Sequence, residues 1–320
     1  MPERVSVDGD RVRGGRATTS IARIRTVHLG LAATLLAGLA AAALLADDKA
    51  PPPTAAPPAA PATTKSPDAA KPASTPTPPA GSFTQKIDGT THEMTFVPLA
   101  MPAKADGGNA EKSAPKLWIA STETTWDLYD VFLFGFDQKD GKSGSADADA
   151  VTRPSKPYIS MDRGFGHAGY PAISVSYLGA KKFCEWLSAK TGKKYRLPTV
   201  AEWQQACATA AIPSDRVAEF AWFADNANGK THAVATTKAG ANGCFDLYGN
   251  ASEWCTQVDD KGNAKGVTLG GMFKDKADAI GCASIVPYTP DWNASDPQYP
   301  KSKWWLADGG FVGFRVVCEE

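Results

Sequence analysis

Between Tyr170 and Trp203 the chain switches hydrophobic period three times, and this stretch limits the possible folds more than any other. Ala172, Ile173 and Val175 form a short apolar run that reads as a strand. Ser176 then leads into a segment where Ala180, Phe183, Cys184 and Leu187 recur at i, i+3, i+4 and i+7, the single buried stripe of a helix. Gly192 stops that helix, and Tyr195-Arg196-Leu197 reads as a second short strand. Pro198 and Thr199 open another helix through a capping box, Thr199-x-x-Glu202, in which each residue satisfies the other's backbone N–H. The unit is strand, helix, strand, helix, and it specifies core rather than chemistry.

The whole chain has 320 residues, is 43% apolar and carries a formal net charge of zero, enough for one large domain or two small ones. Its charge balance gives no footprint for nucleic acid, and no such partner is expected. Residues 1–25 are basic, with Arg11, Arg13, Arg16, Arg23 and Arg25, and residues 26–46 hold an apolar run from Val27 to Ala46 that ends at Asp47-Asp48. A run of about twenty apolar residues matches a bilayer core, and basic residues on its leading side place that side in the cytoplasm. A signal anchor and a cleaved signal peptide share this outline. Ala46 suits the last position before a cut and Leu44 suits the position two before it poorly. Either way the rest of the chain is expected outside the cytoplasm, in the cell envelope if anchored and secreted if cut. Residues 47–81 are rich in Pro and Ala, too poor in apolar side chains to offset the entropy of ordering, and read as an extended linker that holds residues 82–320 off a membrane.

From Ser82 the pattern becomes globular. Met94 to Leu99 and Lys116 to Ala120 read as strands, and Glu123 to Leu133 as a helix capped by Thr124 with Asp127 three positions on. Asp137 to Asp162 is a polar stretch whose Asp147-x-Asp149 lacks the turn Gly and closing Glu of a calcium loop and reads as solvated. Further on come Asn226-Ala227-Asn228-Gly229-Lys230-Thr231-His232, Gly243 through Trp254, Leu269-Gly270-Gly271-Met272-Phe273 and Gly313-Phe314-Arg315-Val316-Val317. No Ser or Cys nucleophile is placed for His232 to activate, so it reads as a structural histidine.

Taken together and in this order, the Tyr170–Trp203 unit and these motifs resemble the domain of formylglycine-generating enzymes, the sulfatase-modifying factors, from about residue 94 to the end of the chain. The resemblance implies one α+β domain with an irregular, mixed C-type-lectin-like fold and little regular secondary structure. Its enzymes oxidise a sulfatase cysteine with a copper ion held by two cysteine thiolates shortly after a Gly-Gly-Ser motif, and soft thiolates are what Cu(I) requires. Counting from Gly270-Gly271, those two positions are Asp275 and Ile280 here, the Ser is Met272, and the first Trp of the family's Trp-Glu-Trp is Ser252. Copper is therefore not expected, and the one nearby cysteine is Cys282.

The resemblance also implies disulfides Cys184–Cys318 and Cys207–Cys282, with Cys318 two residues beyond the family's position. Cys244 and Cys255 then pair with each other across the Asp246–Trp254 loop or remain two separate buried thiols. It implies calcium held by the side chains of Asp246 and Glu253 and the carbonyls of Leu247, Gly249 and Ala251, a set of hard oxygens that suits Ca²⁺; a capped turn with surface acids is the alternative. The family's other calcium site, near Asn226, stays open.

The reading from sequence is thus an exported, membrane-tethered, catalytically degenerate relative that binds a protein, peptide or glycan. The candidate cleft comprises Ser252, Met272, Asp275, Ile280, Trp292 and Trp304, within a segment that also carries Tyr288, Tyr299 and Trp305. An enzyme with changed chemistry and a structural subunit of an envelope complex are the alternatives. Convergent ionisable groups would favour an enzyme, and exposed aromatics a binder.

Overall fold

A computed structural model describes residues 77–102, 116–138 and 160–320. The basic segment 1–25, the apolar run 26–46, most of the linker 47–81 and the Asp147-x-Asp149 stretch lie outside the described residues. Among the described residues no helix is long and apolar enough to cross a membrane.

Two sheets carry the fold. In the first, β1 (Phe83–Lys86), β2 (Glu93–Pro98), β3 (Leu117–Ala120), β9 (Val317–Glu319) and β4 (Lys194–Arg196) lie side by side in that order, every pair antiparallel. The last strand of the chain thus inserts between β3 and β4 and closes the domain on its own beginning. In the second sheet the order is β7 (Gly281–Pro287), β6 (Ala264–Gly270), β5 (Ser252–Val258) and β8 (Val312–Gly313), with β5 and β8 parallel. The expected linker boundary shifts: Gly243 lies against Pro79, and the Trp118 indole N–H donates to the Gly81 carbonyl at 3.0 Å. Residues 77–81 therefore belong to the folded part.

The helices follow the sequence signals with two corrections. α2 (Tyr177–Thr191) is capped by the Ser176 hydroxyl, ends at Gly192 in the left-handed conformation, and buries Ala180, Phe183, Cys184 and Leu187 as the stripe requires. α3 (Val200–Ala210) opens on the full Thr199/Glu202 capping box. α1 (Trp126–Phe134) starts later than expected: Thr125 is its N-cap residue, without a side-chain cap bond, and Asp127 instead accepts the Gly169 N–H at 2.6 Å. The run Ala172–Val175 is buried but makes only isolated bridges, because Ser174 takes a positive φ and turns its hydroxyl to the Met161 carbonyl.

Packing divides along the sheets. α1 and α2 press Tyr129, Phe132, Phe183 and Trp186 against Phe314, Phe96 and Tyr195, a core of interlocked rings 5.4 to 6.0 Å apart between centroids. α3 sets Trp203, Ala206 and Cys207 on Leu269, Val267 and Val317, where the two sheets meet.

A clip at the edge of the first core was not foreseen. His167 stacks on Trp126, its Nε2 lies 2.7 Å from Asp130 and its Nδ1 3.2 Å from Asp162. The hydrogen bond to Asp130, then that to Asp162, raises the imidazole pKa to about 10, and the bond from His167 lowers that of Asp162 to about 2. A histidine raised above its unfolded value near 6.5 contributes fully below that pH and loses the contribution as pH rises toward its folded value. A lowered Asp does the reverse on the acid side. The stability difference between wild type and His167→Gln should therefore be widest from roughly pH 4 to 6.5 and shrink on both sides. Urea midpoints of the two proteins from pH 3 to 10 check this, and a flat difference would mean that the clip carries no charge.

Candidate functional site

The turn after β6 holds the positions that the resemblance gives to the two copper-binding thiolates. Gly270 and Gly271 both take positive φ, and a Cβ on Gly271 would press into Ile280. Asp275 closes this turn: its Oδ2 accepts the Met272 N–H at 2.9 Å, its own N–H donates to the Met272 carbonyl, and its carbonyl accepts from Ala224. Ile280 is buried with Val217, Ala221 and Phe223. Ser252 is buried, its N–H donating to Phe311. Cys282 is bonded to Cys207, with the Tyr248 hydroxyl 3.6 Å from its sulfur. A capping carboxylate, an apolar plug and a disulfide sulfur do not fit a thiolate-bound copper ion.

Trp292 and Trp304 do not join this group. Both pack against the first core, Trp292 among Trp254, Tyr288 and Phe311 at 5.1 to 5.7 Å. The six candidate cleft residues thus separate into a turn that is filled (Met272, Asp275, Ile280), a buried strand residue (Ser252) and an aromatic group (Trp292, Trp304).

Beneath the turn lies a buried polar centre. Arg315, wholly inaccessible, gives Nε to Glu253 Oε2 at 2.6 Å and Nη2 to Glu253 Oε1 at 2.5 Å. Its other N–H groups reach the carbonyls of Ala120, Ser121 and Phe245, so one guanidinium ties β3, the Phe245 loop and β5 together. The Trp203 indole N–H takes the remaining lone-pair direction of Glu253 Oε2 at 2.6 Å. Glu123 accepts from the Asn250 amide and the Ala251 N–H, and burial, then the nearby Asp246 and Glu253 charges, push its pKa well above the carboxylate range. Asp246 accepts from the Ala235 N–H and the Thr237 hydroxyl, and burial raises it to about 6.

Here the calcium expectation meets the donor set. Both oxygens of Glu253 are held by a guanidinium, those of Asp246 by an N–H and a hydroxyl, and Gly249 turns at positive φ with its backbone against the Trp222 carbonyl. A divalent cation on Glu253 would sit beside a buried like charge. The residues present do not fit calcium at Asp246, Leu247, Gly249, Ala251 and Glu253; the guanidinium supplies the positive charge that the loop requires. The sequence signal for this was the Arg of Gly-Phe-Arg-Val-Val, a charge between Phe314 and Val316 that a buried segment can hold only with a partner.

The disulfide framework is also corrected. Cys207–Cys282 joins α3 to β7, while Cys184, Cys318, Cys244 and Cys255 are buried free thiols. Cys318 sits two residues past the family position, on β9 opposite Tyr195. Cys244 and Cys255 remain separate, and burial raises both thiols, Cys244 to about 11.

Similarity to known proteins runs along the same lines. Residues 63–319 match the model of the sulfatase-modifying factor enzyme 1-like domain. Treponema denticola variable protein 1 superposes with a TM-score of 0.52 at 19% identity, over 75% of this chain and 99% of that one. PvdO from Pseudomonas aeruginosa superposes with a TM-score of 0.47 at 21% identity, over 74% and 100%. The serine/threonine-protein kinase pkn1 of Chlamydia pneumoniae is 30% identical over 139 residues, 37% of this chain; the chain spans 21% of that protein's length. With the two curled sheets, the motif order and a match across most of its length, the chain belongs to the sulfatase-modifying factor enzyme 1-like domain family and has its α+β, C-type-lectin-like fold.

Proposed function

We propose that this domain has given up cysteine oxidation and serves outside the cytoplasm as a binding module for a protein or peptide, tethered by its N-terminal apolar segment. The observation that carries the reading is the use made of the thiolate positions: Asp275 caps its own turn, Ile280 fills an apolar cluster, and Cys282 is consumed in a disulfide. All three residues have structural work that a redox site would disrupt. The Cys207–Cys282 bond supports export, since such bonds persist in oxidising compartments. The basic residues ahead of Val27–Ala46 support the orientation.

The test is incubation of the copper-loaded protein with a Cys-x-Pro-x-Arg peptide, followed by mass spectrometry. No aldehyde product is expected. Turnover that disappears in Cys282→Ala would overturn the degenerate reading and favour an enzyme with changed chemistry.

A further inference from the structure

A cavity of about 670 Å³ opens on the opposite end of the second sheet from the filled turn, between the start of α2, the β5–β6 strands and the segment after β7. Its volume lies in the range of functional ligand pockets. None of the six candidate cleft residues lines it. The walls are the rings of Tyr177 and Tyr288, with Trp254 at the base, and the aliphatic side chains of Leu178, Pro287 and Leu306. Tyr288 is 45% exposed although two aromatic neighbours, Trp254 and Trp292, are available to bury it, and Leu178 is 38% exposed.

Two ammonium groups complete the lining, Lys265 from β6 and Lys303. Neither has an ion-pair partner among the described residues, although Lys265 acts at longer range on Asp259 of the adjacent turn. Of the hydroxyls in the wall, those of Ser176, Ser302 and Tyr177 are committed elsewhere, which leaves that of Tyr288. Ser176 donates to the Lys303 carbonyl and accepts from Gly179, Ser302 accepts from Trp304 and Trp305, and Tyr177 pairs with Thr256. A sugar needs many free hydrogen-bonding groups, and this lining offers few. An apolar side chain flanked by carboxylates matches it: rings and aliphatics for the body, ammoniums for the charge.

Beside the cavity runs the open edge of the sheet. β7 pairs with β6 on one side only, and α3 covers its start, where Gln204 bonds the Cys282 carbonyl. The exposed remainder, Ile285 and Val286, leads straight into Pro287 and Tyr288 of the cavity wall. An extended chain can pair there. At Pro287 the missing N–H ends pairing, so the incoming chain delivers its next side chain to the cavity.

We propose that this cavity and the β7 edge bind an extended acidic peptide, one apolar or aromatic side chain entering between Tyr177 and Tyr288 while flanking carboxylates meet Lys265 and Lys303. The inference rests on the binding-module reading and gives it a partner chemistry and a location.

The experiment uses the full chain in detergent and a fluorescein-labelled peptide, Glu-Val-Glu-Phe-Glu-Val-Glu, read by anisotropy. Saturable binding is expected, lost when the peptide's Glu residues become Lys or its Phe becomes Ala. Lys265→Glu/Lys303→Glu should weaken it at least about tenfold, and Tyr288→Ala about tenfold. Urea midpoints of the variants, whose changed side chains are solvent-facing, confirm that they fold. No saturable binding, or binding unchanged in both variants, would overturn the site. An oligogalacturonate that binds at these lysines where the peptide does not would make it a glycan site, overturning the inference while leaving the module reading intact. Aldehyde formation in the copper assay would sink that reading by itself, whatever the peptide does.

Discussion

Arg315→Met should destabilise the folded domain by about 3–5 kcal/mol, the cost of leaving a buried carboxylate without its counter-charge. Glu253 is 1% exposed and would keep only the Trp203 indole, while the carbonyls of Ala120, Ser121 and Phe245 would lose the guanidinium, Ser121 keeping the Phe245 N–H. Glu253→Gln should also destabilise, since it leaves the guanidinium uncompensated. The double variant Arg315→Met/Glu253→Gln should then lose less than the two single losses added together, because neither charge is stranded. Urea denaturation at fixed pH measures all three. Strict additivity would mean that the two residues act independently.

The same proteins decide between guanidinium and calcium. If the loop held Ca²⁺ through Glu253, calcium at about a hundred times Kd would add roughly 2.7 kcal/mol to wild type and little to Glu253→Gln. With Arg315 already on both oxygens, midpoints in calcium and in chelator should coincide for wild type. A calcium gain that vanishes in Glu253→Gln would restore the ion to the loop.

What was legible from sequence follows from how far apart the cooperating residues lie. Thr199 and Glu202 are three positions apart, and their capping box appears as written. The α2 stripe, with Ser176 and Gly192 at its ends, is equally local. Ala172–Val175 has the composition of a strand, but its conformation is set by distant partners: Arg163 reaches the Leu306 and Ala307 carbonyls and bonds the Ser174 hydroxyl. That Asp275 and Ile280 are not cysteines is plain from the sequence, whereas their structural roles depend on Ala224 and Phe223, some fifty positions upstream. Arg315 and Glu253 stand 62 residues apart, and the parallel pairing of β8 with β5, which sets Gly313 opposite Glu253, brings them together. The cavity went unread for the same reason: Tyr177, Lys265 and Lys303 are neighbours only once α2, β6 and the C-terminal segment have docked.

Cys207 and Cys282 are separated by 75 positions, and closing a loop of that length in the unfolded chain contributes about 4 kcal/mol in the chain-entropy treatment. Cys207→Ala/Cys282→Ala should therefore lose stability of that order. Part of the loss acts through the folded state, since the bond anchors the start of β7 to α3 beside the Gln204–Cys282 contact. Of six cysteines, two are bonded and four are free. A thiol reagent should accordingly find no fast-reacting group in the folded protein, because all four thiols are buried, and four in denaturant without reductant. Two thiols on unfolding would restore one more of the expected bonds, none would restore all three, and six would remove the bond that supports the proposed export. Non-reducing peptide mapping then assigns the pair. Because Cys184, Cys244, Cys255 and Cys318 each sit in packed core, their single Ala variants should lose the smaller packing contribution without the loop-entropy loss, and that contrast separates a disulfide from a buried thiol.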